Sequence, residues 1–167
     1  MIRRRLISAS AAFVAAAPFS VALGARADHA RAIRNLEEGV ALVLAEHGFA
    51  AYEALFDPDY VNWPNGGALL SRSAFLEGVR RWYDAGNRAV AAQLIPVSLD
   101  IAATTAHFRY RLREDFNDGT SFIGDFISAP RFADGSWRFH RTSFFTRYRG
   151  KSEDAPLFPE IVSAVTR

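Results

Sequence analysis

Two charged residues in the last third of the chain are the ones whose type and position could do chemistry. Asp125 lies in the run Thr120–Phe132 and Arg141 in the run Ser136–Tyr148, both with strand-like alternation. Strand parity decides what each can do, because successive side chains point to opposite faces. On the last run Trp137, Phe139, Arg141, Ser143 and Phe145 share a side. Trp137 and Phe139 belong in a core, so Arg141 is expected to point inward with them. There it either snorkels to a pocket mouth and pairs with an acid, or orients an anionic or carbonyl-bearing ligand. Asp125 has two fates. If Phe122, Phe126 and Phe132 face in, Ser128 faces in with them, and Asp125 faces out to pair with an arginine of the neighbouring strand. If a bulge near Pro130 flips the register, Asp125 becomes the pocket's only carboxylate and a weak candidate general base.

The neighbouring run, His107–Phe116, supplies those arginines. Phe108, Tyr110 and Leu112 alternate with His107, Arg109, Arg111 and Arg113. The apolar set is expected to face inward, since burying unpaired guanidiniums is costly. His140 falls on the outer side by the same parity. The pocket wall is expected from Tyr52, Trp63, Tyr83, Tyr110 and Phe126, with Ser128 among them. Aromatic bodies with polar tips suit a flat, mostly apolar molecule.

These strands must be positioned by the elements around them. Asp118-Gly119 and Asp134-Gly135 separate the three runs and predict tight hairpins, hence an antiparallel meander. Val90–Leu99 predicts a further strand, with Pro96 marking an edge or a bulge. Upstream the chain is helical. Ile33, Leu36, Val40, Val43 and Leu44 give Ala30–His47 an apolar stripe, Gly48 breaks it, and Phe49–Phe56 continues as a second short helix. Ser73 can cap a third helix, with Phe75, Val79, Trp82 and Tyr83 on its buried side. Helices first and a meander afterwards predict an α+β layer.

The first 27 residues read as an export signal: a basic cap at Met1–Arg5, an uncharged run from Leu6 to Leu23, and Ala25-Arg26-Ala27 as a cleavage site. Arg3-Arg4 before Leu6-Ile7 suits a twin-arginine signal. The leader carries four arginines and no acid, which leaves 16 basic against 18 acidic residues in the remaining 140. The net charge of +2 therefore becomes −2, and no nucleic-acid partner is expected. A periplasmic or extracellular protein, free of the membrane after cleavage, is the expectation. The chain has no cysteine, which excludes disulfides and thiolate metal sites. His29, His47, His107 and His140 show no ligand spacing, so neither metal nor cofactor is expected. The expected organisation is leader 1–27, domain 28–150 and C-terminal tail 151–167.

Leu55-Phe56-Asp57-Pro58-Asp59-Tyr60-Val61, then Pro64-Asn65-Gly66-Gly67, then Ser73-Ala74-Phe75-Leu76 resembles the segment that joins the helices of the nuclear transport factor 2-like superfamily, in its SnoaL-like branch. Asp134-Gly135-Ser136-Trp137-Arg138-Phe139-His140-Arg141 is similar to that superfamily's last-strand motif. The resemblance implies a cone-shaped, curved antiparallel sheet packed against about three N-terminal helices, enclosing a pocket for a small apolar or aromatic molecule, an anionic one included. It implies a homodimer paired through the outer sheet face, where parity puts Ile123, Ile127 and Phe144. Isomerases, dehydratases, cyclases and non-enzymes share this fold, so function has to be argued from the site. The ketosteroid isomerases place a base just before the proline of the Pro-x-Gly loop. Here Trp63 stands there, preceded by Asn62, and neither abstracts a proton; the second carboxyl position falls near Ser128. Paired histidines of the scytalone dehydratase kind are not expected in the pocket either. Three alternatives remain: a binding pocket without a catalytic set, a lyase, isomerase or cyclase using Asp125 or Arg141, and a non-catalytic association domain.

Overall fold

The computed structural model describes residues 17–158, with side chains from Ala25 onward. Residues 1–16 of the expected export leader and residues 159–167 of the expected C-terminal tail lie outside the described residues. The first helix, α1, runs Ala17–Glu53 and is kinked at Gly48, whose φ of 79° no β-carbon-bearing residue adopts cheaply. Ile33 and Leu44 are its buried apolar anchors. The segment after Gly48 carries Phe49 and Tyr52 into the core as the end of the same element.

Strand β1 (Phe56–Pro64) follows, then the two-residue β2 (Leu70–Ser71) and helix α2 (Arg72–Asp84). Ser71, rather than Ser73, is the N-cap; its hydroxyl accepts from Ala74 N at 3.3 Å. The long strands are β3 (Ala89–Ile101), β4 (Ala106–Phe116), β5 (Thr120–Ala133) and β6 (Ser136–Lys151). The β4–β5–β6 meander is present, joined at the two Asp-Gly turns. At the second of these Asp134 and Gly135 have φ of 50° and 78°.

One sheet of six strands results, in the order β2-β1-β6-β5-β4-β3. It corrects the expected architecture in two ways. The sheet is mixed, because β1 runs parallel to β6, and it is open, ending at β2 and β3 instead of closing as a cone. Among the described residues there are two α-helices, not about three, because the chain carries helix through Gly48 and then turns to strand at Phe56. Pro96 lies in an edge strand beside a register shift, the two settings that tolerate its missing N–H. Glu38 reaches that edge from α1 and accepts from Leu94 N at 3.2 Å.

Two bulges set which side chains of β6 face the helices. Between the pairs Arg131↔Arg138 and Ala129↔Arg141, β5 supplies only Pro130 while β6 supplies two residues. Between Ile123↔Tyr148 and Gly124↔Thr146, β6 holds the extra residue Arg147. Each bulge reverses the alternation downstream. Trp137 and Phe139 face the helices, then Thr142, Phe144 and Thr146, and finally Arg149.

Candidate functional site

The helix-covered side of the sheet holds a cavity of about 560 Å³. Its far wall is a row of rings across β4, β5 and β6. Tyr110 stacks on Phe126 with ring centres 5.1 Å apart, and Phe126 stacks on Phe144 at 5.3 Å. Phe122 meets Phe126 and Phe144 edge-on. Val40 and Leu44 of α1 and Phe75, Val79 and Trp82 of α2 line the cavity, together with Phe56 and Phe139. A single connected apolar wall of this kind follows from the parity of three paired strands.

Glu37 of α1 is fully buried within that apolar setting. It lies four residues after Ile33 and three before Val40, on the helix stripe that faces the sheet. Tyr110 donates its hydroxyl to Glu37 Oε2 at 2.5 Å, and Ser128 donates to Oε1. Burial pushes the carboxyl up to about 7, against the two hydroxyls, which favour the charged form. The Tyr110 hydroxyl is in turn held well above the usual phenol range by burial and by the Glu37 charge. A second carboxyl, Glu114, lines the same cavity from β4 and is partly exposed. Its surroundings also push it up to about 7, with Arg149 opposing the rise.

A separate polar group comes from β1 and β6. Asn62 donates Nδ2 to Tyr60 Oη at 2.9 Å, and Thr142 lies beside Tyr60. All three are buried and line the cavity. Burial pushes Tyr60 up to about 12. Asn65, in the loop after β1, donates its N–H to Phe144 O and accepts from Thr146 N, both at 2.7 Å, which ties the loop to β6.

The expected site residues divide. Tyr52, Tyr110 and Phe126 line the cavity, and Ser128 reaches its carboxyl. Arg141 does not: the bulge opposite Pro130 turns it to the outer face, where it is exposed. Trp63 is 48% exposed on that same outer face, its indole N–H donating to Gly67 O. Tyr83 packs beneath the Arg88 guanidinium, 3.5 Å from its ring centre, outside the cavity lining. Asp125 faces outward between Arg111, at 2.7 Å, and Arg147. Hydrogen bonding to Arg111, and then to Arg147, holds it below the usual carboxylate range despite partial burial. It is an ion-pair residue in this geometry and does not reach the cavity. Phe144, expected outside, lines the cavity because it follows the first bulge.

Sequence reasoning passed over Glu37, Glu114, Tyr60, Asn62 and Thr142. Signals existed for two of them. Glu37 interrupts the apolar stripe of α1, and Glu114 continues the alternation Phe108, Tyr110, Leu112 by one step. Among the described residues no group of three or more acids and histidines is placed to hold a metal ion. None of the described helices is long and apolar enough to cross a membrane.

No protein-family model matches the chain, and no curated protein matches it. Solved structures do. An NTF-2 like protein of unknown function from Silicibacter pomeroyi shares 20% identity with a TM-score of 0.56, over 73% of this chain and 98% of that one. The fold is that of the nuclear transport factor 2-like proteins. A ketosteroid isomerase-like protein from Erwinia carotovora atroseptica superposes with a TM-score of 0.53 at 14% identity, over 71% of this chain and 95% of the other. A type 2 hexachlorocyclohexane dehydrochlorinase gives 0.54 at 12% identity, over 84% and 97%. At these identities the likeness concerns the nuclear transport factor 2-like fold and not the reaction.

Proposed function

We propose that the cavity binds a small, mostly apolar or aromatic molecule and that Glu37 moves a proton on it, as in a lyase or isomerase. One observation carries this. A buried carboxyl is held near neutrality inside an aromatic-walled cavity, with a phenol and an alcohol on its two oxygens. An acid or base catalyst needs a pKa close to the working pH, and desolvation supplies it here. The isomerase-like and dehydrochlorinase neighbours support the proposal as fold analogues only.

A nitrobenzisoxazole tests it. A carboxylate that takes the ring C–H proton drives that electron pair into a nitrile, breaks the N–O bond and releases a coloured phenolate. The rate should rise with pH through a midpoint of about 7. Glu37→Gln should lose about a hundredfold or more of it. A Gln variant that keeps the rate would rule Glu37 out as the base.

The expected setting completes this proposal. Residues 1–27 direct export by the SnoaL-like precursor, and a reporter fused to them should be active only outside the cytoplasm. The outer sheet face, with Trp63, Leu69, Ile127 and Phe145 exposed, pairs two copies of the chain. Sedimentation should give twice the monomer mass at micromolar concentration, and Ile127→Arg should halve it.

A further inference from the structure

We infer that the outer face of the sheet carries a second pocket, which binds a small aromatic carboxylate between Arg141 and Trp63. This pocket lies across the sheet from the helix-covered cavity and does not depend on Glu37. The strand register builds it. Arg141 stands between Ala129 of β5 and Val61 of β1, and the ladder that pairs Phe108 with Ser128 sets His107 against Ala129. Phe108, Ser128 and Thr142 are buried on the helix-covered side, so their neighbours His107, Ala129 and Arg141 face out together. Ala129 ends at its β-carbon, which leaves a gap between His107 and Arg141 two strand spacings wide, about 9–10 Å. The next row holds Ile127, Ser143 and Trp63, and there the gap opens into a hollow of about 440 Å³.

The two sides of the hollow differ in chemistry. Val61, Trp63, Leu69 and Ile127 make one side apolar. Trp63 is half-exposed, yet it is held in place: its indole N–H donates to Gly67 O, and its own carbonyl accepts from Ser143 Oγ at 3.1 Å. A fixed, half-exposed ring offers a stacking surface. On the other side stand His107 and Arg141, and no acid among the described residues lines the hollow. Acids of this face are engaged elsewhere, Asp125 with Arg111 and Arg147, and Asp115 with Arg113. Asp100 pairs with His107 in the β3–β4 ladder and so lies on the side away from Ala129. The planar guanidinium of Arg141 can hold both oxygens of a carboxylate, while the ligand's ring lies on Trp63. Inorganic phosphate would match the charge and leave the apolar side unfilled. Trp63, Leu69 and Ile127 also belong to the face proposed to pair two copies, so ligand and second copy exclude each other.

Para-nitrobenzoate and para-nitrobenzamide share a shape, differ in charge, and quench tryptophan fluorescence on contact. Titrated into submicromolar wild-type protein, where pairing is weakest, the carboxylate should bind about tenfold more tightly than the amide. Trp63→Phe should remove the quenching, which locates the probe. Arg141→Gln should bind the two probes equally, and Ala129→Leu, which fills the gap, should weaken the carboxylate as well. Both positions lie on the outer face, so one variant serves if the other folds poorly. Equal affinities in the wild type, a preference undiminished in Arg141→Gln and Ala129→Leu, or quenching that persists in Trp63→Phe overturns the pocket.

Discussion

Glu37 and Asp125 are carboxyls on opposite sides of one sheet, and their surroundings push them in opposite directions. Asp125, on the outer face, meets the guanidiniums of Arg111 and Arg147, partly in solvent, and is held below its ordinary range. Glu37, on the helix-covered face, meets two neutral hydroxyls in the dark of the core and is pushed up to about 7. Position in the fold, more than residue type, decides which acid is a structural tie and which is chemically poised. Hydroxyls can satisfy the hydrogen-bonding needs of a buried carboxylate, but they bring no positive charge to offset its desolvation. The same contrast separates Arg141, turned to the outer face, from Arg149, which a second bulge brings to the cavity lining.

Substitutions that separate the two faces should differ by size and by pH. The largest effect is expected from Trp137, buried on the helix-covered face with its indole N–H donating to His29 Nδ1 at 3.0 Å. Trp137→Ala should cost about 3–5 kcal/mol in chemical denaturation. A loss under about 1 kcal/mol would mean that this face is not the core.

Glu37 comes next, through pH. Its folded pKa lies above the ordinary glutamate value of 4.5, so the folded state holds its proton longer than the unfolded chain does. The stability tied to that proton is complete below about 4.5 and is lost as pH rises through about 7. Relative to Glu37→Gln, the wild-type protein should therefore lose roughly 3 kcal/mol between acid and alkaline sides. Glu114 titrates in the same window, but it is common to both proteins and cancels in the difference. A flat difference across the window would remove the contrast with Asp125.

Asp125 should behave in the reverse sense and more weakly. Its folded pKa is lowered, so its contribution is present above the unfolded value and disappears as pH falls through the folded one. Asp125→Asn should cost about 1 kcal/mol at neutral pH, with the gap closing in acid. The smallest effect belongs to Ile127, which is 46% exposed on the outer face. Ile127→Ala should change monomer stability by less than about 0.5 kcal/mol, measured at a concentration too low for pairing.

Much of the meander was legible in the sequence because the signals are local. Asp118-Gly119 and Asp134-Gly135 mark turns, and the alternation through Phe108, Tyr110 and Leu112 gives the inward face of β4. The sheet's openness, and the parallel pairing of β1 with β6, depend on contacts between residues such as Val61 and Arg141 that lie far apart in sequence. No local pattern encodes them. Arg141 shows the second limit. β6 carries an extra residue opposite Pro130, and one such residue reverses every side chain beyond it relative to simple alternation. Pro130 is visible in the sequence of β5, but its effect falls on β6, the strand that bulges, and not on the register of Asp125. Tyr60, Asn62 and Thr142 were hidden for both reasons, since they meet across the parallel β1–β6 pair and beyond the bulge.

If Glu37 is a neutral-pH acid inside an apolar pocket, its own titration shows it. Infrared difference spectra between the wild-type protein and Glu37→Gln isolate the carbonyl stretch of the protonated side chain. This band should persist at pH 6 and disappear with a midpoint of about 7. Loss of the band in the ordinary carboxylate range, near 4.5, would contradict it.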